Sequence, residues 1–391
     1  MYYRKLLKSS TLHILFAMYD LIVAGAGPAG STAARAAALQ GLDTLILEKE
    51  TFPRYKPCGG ALSSKAASLL DFPLPNHICE RTITGARVHF RDRVLERHKG
   101  YNLTTLINRS LFDYLLLQKA KEAGSGIKTQ KVMDFQEKDG HVSVKTNAGI
   151  YQCKFLVIAS GCQDGLKNRI LGPDRKESMG VCLVAEIEED DRRIEERLAG
   201  TLDIHFGVAK SGYGWIFPHR GYYSVGIGGL SSRLRSPRQA MLQFLKKNGF
   251  SERQRLHGHL IPQGGNKVRT ALGRVLLAGD AAGFVDAFTG EGICYALASG
   301  KIAGQMIGDV PALEVAKAYQ ERSKKEFGEE LRYALFFSKM MYSYPEIFLH
   351  ILACQEEVLD MYIEIAAAKI SYKDFMRWLL PRLPLSLLRT L

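Results

Sequence analysis

Seven cysteines (Cys58, Cys79, Cys153, Cys162, Cys182, Cys294 and Cys354) are spread through 391 residues without a single C-x-x-C pair. That excludes the spacing of a structural zinc site and the framework of a disulfide-stapled domain, and no metal site is indicated. An odd, dispersed set suits a reducing cytoplasm. No uncharged run of about 18 apolar residues occurs, so no membrane-spanning helix is expected. Internal repeats are missing. So is any nucleic-acid-binding motif, and no nucleic-acid partner is expected. Acidic residues are the minority: 40 Asp and Glu against 53 Lys and Arg leave a formal charge of +13 and a pI near 9.3. Such an excess either favours anionic partners, acidic lipid surfaces and phosphorylated substrates among them, or is only a basic solvated surface. Hydrophobic residues make up 46% of the chain, enough for true cores and no argument for disorder. The length leaves room for two or three domains.

What is present begins at residue 19. Tyr19-Asp20-Leu21-Ile22 leads into V-A-G-A-G-P-A-G-S over Val23 to Ser31, a strand, a glycine turn and a helix start. Gly25 permits the tight turn, Gly27 leaves room for backbone to approach a pyrophosphate, and Gly30 lets the helix pack against the strand. The helix start offers free N–H groups and a positive dipole end to the phosphates. A lone G-x-G-x-x-G is weak evidence among 37 glycines. Here an Ala-rich helix (Ala33, Ala34, Ala36, Ala37, Ala38), a stop at Gly41 and a second strand ending in Glu48 all agree with it. Glu48 stands 23 residues after Gly25, where a carboxylate meets an adenosine ribose. Residues 1–17 combine basic residues with a short apolar stretch, and a natural start at Met18 after a dispensable leader is the more economical reading.

Further along, a loop from Glu50 to Gly60 carries Arg54, Lys56, Pro57, Cys58 and Gly59. A helix opens at Arg109, with Ser110 as its expected N-cap, and strand-like runs follow at 142–146 and 151–159. From about residue 180 the pattern turns to alternation. Val181, Leu183, Ala185 and Ile187 share one strand face, and Leu202, Ile204, Phe206 and Val208 another. Tyr213, Trp215 and Phe217 share a third face, and Val225 and Ile227 a fourth. Period-two patterning predicts a half-covered, largely antiparallel sheet, with a turn at Pro218-His219-Arg220-Gly221. A buried strand, Arg274 to Ala278, leads into Gly279-Asp280, and a small-residue helix starts near Gly292. Residues 311–391 read as helical throughout. Their basic, apolar tail suits a docking helix more often than a membrane-surface segment.

Gly279-Asp280 at the end of a buried strand, far from the first motif, points to a flavin. An Asp there accepts a hydrogen bond from a sugar-alcohol hydroxyl, which a ribityl chain has and a simple nicotinamide dinucleotide lacks. An N-cap role is its ordinary alternative. Gly290-Glu291-Gly292-Ile293 opens a helix whose N-terminus would stabilise negative charge on a reduced flavin ring.

Val23 to Ser31, Arg109, Gly279-Asp280-Ala281-Ala282 and Thr289-Gly290-Glu291-Gly292-Ile293 together resemble the FAD-binding set of the para-hydroxybenzoate hydroxylase superfamily. Within it, Lys56-Pro57-Cys58-Gly59-Gly60 and Gly212-Tyr213-Gly214-Trp215-Ile216-Phe217-Pro218 resemble the geranylgeranyl reductase family, over residues 18 to 310. The resemblance implies an α/β chain, α+β overall: a Rossmann-type FAD-binding domain (18–73, 106–171 and 266–310), an inserted antiparallel-sheet substrate domain (74–105 and 172–265) and a C-terminal helical region (311–391). It implies that Gly25, Gly27, Gly30 and Glu48 hold the ADP half of FAD with Arg109 beside it. Asp280 would hold the ribityl chain, and the backbone of Gly290, Gly292 and Ile293 the ring. Ala29, Lys49, Arg54, Cys58, Gly59, Gly60 and Gly279 complete the expected cofactor contacts. Three positions depart from the family pattern: Ser160-Gly161 where Asp-Gly is usual, Lys210 for a Pro, and Ala287 for a Pro.

Family enzymes reduce isolated C=C bonds of geranylgeranyl chains on lipids, prenyl diphosphate, chlorophyll precursors or quinones. An unactivated alkene offers nothing polar to grip, so its site must be a greasy slot beside the flavin. Tyr213, Trp215 and Phe217 could wall it, although sheet packing is the ordinary role of such residues. Cys58 and Tyr213 are candidate proton sources, and the reduced flavin is another. The expected partners are thus an isoprenoid substrate and an electron donor (NAD(P)H, ferredoxin or another), with the protein cytoplasmic or peripheral at a membrane. A flavin-dependent aromatic monooxygenase or halogenase is the rival on the same scaffold, although the halogenase-type W-x-W-x-I-P element is missing. A non-catalytic, basic, FAD-carrying module is the rival from another class.

Overall fold

The computed structural model describes residues 18–173, 178–265, 269–346, 348 and 355–382. The expected leader, Cys354 and the tail beyond Arg382 lie outside the described residues. The run from Met18 to Ala24 forms a strand flanked in parallel by Thr44–Glu48 and Ile150–Ile158. Gly126–Thr129 and Val275–Leu277 extend the parallel order on either side. Leu21, Ile22, Val23, Ile46, Leu156 and Val157 have no exposed surface. Such continuous aliphatic runs are what a parallel sheet buried on both faces requires. The helix Pro28–Ala38 follows the first strand directly and packs against the small-residue helix Ile293–Asp309.

The alternating segments build a seven-stranded sheet in the order His257–Pro262, Met179–Glu188, Tyr222–Leu230, Gly212–Pro218, Thr201–Phe206, Gly85–Phe90 and Arg93–His98. Its pairings are antiparallel except for Thr201–Phe206 with Gly85–Phe90. The expectation of a half-covered sheet is corrected here. Ile216, Val225 and Ile227 pack under Ile194, Met241 and Phe244 of two short helices, while Val88, Ile204 and Phe206 pack against the C-terminal helices on the opposite face. Val208 falls beyond the strand, which ends at Phe206.

One cap assignment changes and one alternative drops out. The helix Arg109–Glu122 is capped by Asn108, whose side chain accepts from Leu111 N at 3.2 Å, and Ser110 lies inside the first turn. Asn and Ser cap about equally well, so the extended backbone at 108 decides. Asp280 is not an N-cap, because it lies inside the short turn Gly279–Ala282. Within 311–391 the described residues are largely helical, with helices at Val315–Ser323, Glu329–Ser343, Glu356–Ala366 and Tyr372–Leu379. The last of these buries Tyr372, Phe375 and Leu379, spaced three and four apart, in the core on the second sheet. Among the described residues no helix is long and apolar enough to cross a membrane.

The helix-covered face of Thr201–Phe206 holds a buried polar cluster with no local sequence signal. Asp203 bonds His89 Nε2 at 2.7 Å and faces His205 Nε2 at 3.4 Å, and the two imidazoles stack with centroids 4.0 Å apart. Burial opposes ionisation of Asp203, but its bonds to His205 and His89 outweigh burial and hold it below the usual carboxylate range. Burial pulls His205 below its ordinary 6.5, with His89 and Lys247 adding to the effect against Asp203. The unfolded chain therefore takes a proton at His205 that the folded chain refuses, and stability is lost as pH falls through about 6.5. Denaturant unfolding of the parent should weaken between pH 7 and 5 more steeply than that of His205→Gln. The difference is bounded by about 1.4 kcal/mol per pH unit for one proton. Equal slopes would contradict this assignment.

Candidate active site

One cavity of about 740 Å³ runs from the glycine turn to the aromatic strand of the second sheet. Its first end is made by the turn itself. Gly25 adopts φ +106°, and a Cβ on Gly30 would stand 1.8 Å from Gly25 O. No side chain other than glycine fits there. The helix after the turn has no side-chain cap at Gly27 and carries Pro28 at its start, so its first N–H groups have no side-chain partner. Glu48 is 6% exposed. Its carboxylate accepts from Ala26 N at 2.6 Å and Glu50 N at 2.9 Å, which ties the second strand to the turn.

A carboxylate missed in the sequence organises the cations. Asp113, fully buried, takes two bonds of 3.0 Å from Arg109, four residues earlier on the same helix. It also pairs with Arg54 at 3.3 Å. Two guanidiniums on one carboxylate leave a net positive charge facing the cavity. Burial works against the charge on Arg109, but Asp113 and then Cys58 raise its pKa above the ordinary range. Arg54 Nη1 is buried without a partner, and Arg54 Nη2 lies 3.8 Å from the place a Gly27 Cβ would take. An orphaned guanidinium nitrogen over a glycine turn is the donor set a diphosphate fits.

The middle of the cavity is built from three loops. Lys56 Nζ lies 2.8 Å from His259 Nε2, and His259 Nε2 lies 3.8 Å from Asp280 Oδ2. Burial pulls the pKa of Lys56 down, with Asp280 opposing it. Burial likewise works against Asp280, but His259 and then Lys56 hold it below the usual carboxylate range. Asp280 is thus a charged acceptor suited to a hydroxyl-bearing chain. The helix Ile293–Asp309 begins at Gly292 with no cap at that residue, and Glu291 Oε1 accepts from Cys294 N at 3.0 Å. The preceding loop is held from two sides. Tyr213 Oη donates to Thr289 O at 2.6 Å, and Asp286 accepts from Phe288 N and Thr289 N at 2.8 Å and from Tyr372 Oη at 2.7 Å.

The far end is apolar. Tyr213, Trp215 and Phe217 stand in a row with ring centroids 6.1 and 6.3 Å apart. Gly226 pairs with Trp215 across the sheet, and a Cβ there would lie 2.2 Å from the indole, so glycine clears the floor on which the ring rests. Leu202 and Ile204 continue the wall, and Tyr362, Ile363, Ala366 and Ala367 of a C-terminal helix and its cap close it.

All the residues expected from the sequence border this cavity except Gly30, which is buried behind the turn. Asp113, His259 and the C-terminal helix were not singled out. Of these, Asp113 alone left a signal, the i,i+4 spacing from Arg109. Ser160 also borders the cavity, and its Oγ is buried without a hydrogen-bond partner.

Fold and site together define an FAD-dependent oxidoreductase, and FAD is its cofactor. The FAD dependent oxidoreductase family matches residues 20–162. A menaquinone reductase of Mycobacterium tuberculosis is 30% identical over 323 residues, 74% of this chain and 76% of that protein. Digeranylgeranylglycerophospholipid reductase 2 of Methanothermobacter thermautotrophicus is 29% identical over 350 residues, 83% and 88% of the two chains. A geranylgeranyl bacteriochlorophyll reductase-like protein from Thermoplasma acidophilum shares the fold with a TM-score of 0.78 at 21% identity, over 94% of this chain and 99% of that one. Flavin-dependent halogenases share the fold too, at 16–21% identity. The chain belongs to the geranylgeranyl reductase family.

Two outcomes follow from the site's charges. Arg54→Ala should weaken FAD binding about ten- to a hundredfold in a fluorescence titration, the range for a lost charge-assisted bond. An unchanged affinity would remove Arg54 from the diphosphate end. Burial lifts Glu291 from 4.5 to about 7, so the folded chain retains a proton that the unfolded chain has lost, and stability falls as pH rises through that window. Glu291→Gln keeps an acceptor for Cys294 N. It should match the parent near pH 4.5 and exceed its unfolding free energy at pH 8 by up to about 3 kcal/mol.

Proposed function

We propose that this chain reduces isolated C=C bonds of geranylgeranyl or related isoprenoid chains carried by a lipid, a prenyl diphosphate, a chlorophyll precursor or a quinone. The observation that carries this reading is the continuity of one cavity, cationic at the glycine turn and hydrocarbon-lined beyond Tyr213. The names of relatives, a digeranylgeranylglycerophospholipid reductase and a menaquinone reductase, support the substrate class. In this reading Gly25, Gly27, Ala29, Glu48, Lys49, Arg54 and Arg109 hold the ADP half of FAD. Asp280 holds the ribityl chain, and the loop Gly290 to Ile293 with Gly59, Gly60 and Gly279 frames the ring. Gly30 acts indirectly by packing the turn.

FAD, when bound, supplies a hydride equivalent. The chain's own residues do the rest. Tyr213, Trp215 and Phe217 exclude water and orient an alkene that offers no polar handle. If protonation leads, their faces stabilise the cationic carbon by about 1–2 kcal/mol per desolvated ring. Of the two side chains, we favour Cys58 over Tyr213 as the proton source, with the reduced flavin as the alternative. The Tyr213 hydroxyl hydrogen is committed to Thr289 O, and burial raises its pKa well above 10.

The described residues contain one glycine-turn dinucleotide fold, so reducing equivalents come from a docking donor, NAD(P)H, ferredoxin or another. Peripheral membrane contact, where it occurs, would be electrostatic. Lys373 and Arg377 are exposed on the last described helix, while its apolar face is already buried.

Anaerobic incubation of the reduced protein with geranylgeranyl substrates on lipid, diphosphate and quinone carriers should add hydrogen pairs, read by mass spectrometry. Unchanged substrate on every carrier, or an oxygen-inserted aromatic product in air, would overturn the reading. Trp215→Ala should lower kcat/KM about two- to tenfold, the scale of a lost aromatic contact, with FAD content unchanged.

A further inference from the structure

We propose that His219, paired with Glu80, is a positioning residue that locks the Gly59–Gly60 peptide and so aims a hydrogen-bond donor at Cys58. The inference rests on the reading of Cys58 as a reacting group, but the lock itself does not. Although Pro218-His219-Arg220-Gly221 has the composition of a surface turn, His219 is 2% exposed. Its Nε2 lies 3.0 Å from Gly59 O, and its Nδ1 bonds Glu80 Oε2. Glu80 also receives Tyr222 Oη at 3.2 Å and Asn108 Nδ2 at 3.4 Å, so it is surrounded by donors. Gly59 O only accepts, so His219 Nε2 donates to it, and Nδ1 shares the other ring bond with the Glu80 carboxyl. Tyr222 stacks on it at 4.7 Å, and Arg81 Nε holds its carbonyl at 3.0 Å.

The loop needs such a lock because two successive glycines leave the peptide between them free to flip. Gly60 has φ +72°. In a trans peptide the C=O and N–H point opposite ways. With Gly59 O held at His219, Gly60 N–H points away from it and meets Cys58 Sγ at 3.4 Å. The neighbouring carbonyls are tied separately. Ser224 Oγ donates to Cys58 O at 3.5 Å while accepting Trp215 Nε1 at 3.4 Å, and Ile107 N donates to Gly60 O at 2.9 Å. These bonds fix the ends of the segment, and His219 fixes its middle. A flipped peptide would turn a carbonyl toward the Cys58 sulfur in place of a donor. The pin therefore sets which way the thiol points in the cavity, where Arg109 is its cationic neighbour.

The test uses the FAD-loaded protein and three variants: His219→Ala, His219→Gln and Glu80→Gln. Hydrogen exchange is followed by mass spectrometry of peptides covering residues 56–62, alongside kcat and KM with a geranylgeranyl substrate. In His219→Ala, exchange at 56–62 should rise about tenfold, the scale of one lost hydrogen bond. The turnover number should fall by about the same factor, with KM within about twofold. His219→Gln can still donate to Gly59 O and should restore most of both, and Glu80→Gln should fall between. Unchanged exchange at 56–62 in His219→Ala would overturn the proposal. So would Ala and Gln variants that behave alike, or exchange rising equally across 79–83 and 104–107. A wild-type protein inactive on every prenyl substrate, but showing the expected exchange pattern, would sink the reading of the reaction and leave the lock standing.

Discussion

On the proposed reading a charged diphosphate and an uncharged alkene share one cavity, and the rest of the molecule follows from keeping them apart while letting them touch the same ring. The polar end is pre-arranged by groups that are already buried: Asp113 holds Arg109 and Arg54 in place, so the cations wait without collapsing onto solvent. Two guanidiniums around one carboxylate would be costly if no anion came, because a buried charge without a partner is destabilising. In the proposed reading the orphaned Arg54 Nη1 is the donor left over for that anion. The apolar end has the opposite logic. It offers no polar anchor along the aromatic row beyond bonds already spoken for, with Trp215 Nε1 given to Ser224 and Tyr213 Oη to Thr289.

The boundary between the two ends is held by loops that the three parts of the chain grip jointly. The segment 286–290 is pinned by the aromatic strand through Tyr213 and by the last described helix through Tyr372 and Asp286. The segment 58–60 is pinned by Ser224 of the second sheet, by His219 in the turn beside it, and by Ile107 at the end of the strand Thr104–Ile107. Glycines make these loops thin enough to lie against a cofactor, and the same glycines make them floppy. External hydrogen bonds are the physical remedy. Displacing the C-terminal helix would therefore disturb the flavin end as well as the tunnel.

The polar lining of the cavity was legible in the sequence because its glycine turn depends on short, fixed spacings. Gly25, Gly27 and Gly30 must fall within one turn, and Glu48 must end the very next strand. Tyr213, Trp215 and Phe217 share a face because a strand alternates. The rest depends on long-range contacts that leave no period. His259 meets Lys56 across 203 residues, and Tyr372 meets Asp286 across 86. His219 read as turn punctuation because its composition signal is local while its partners, Glu80 and Gly59, are not. Coverage of both sheet faces was invisible for a similar reason: Asp203 and His205 look like outward polar positions but pair with each other and with His89 in the interior.

The most direct check on the shared cavity is anaerobic stopped-flow mixing of the chemically reduced flavoprotein with a geranylgeranyl compound and with its fully saturated counterpart on the same carrier. The account predicts that the yellow oxidised flavin returns with the unsaturated chain alone. Return of colour with both compounds, or with neither across the lipid, diphosphate and quinone carriers, would contradict it.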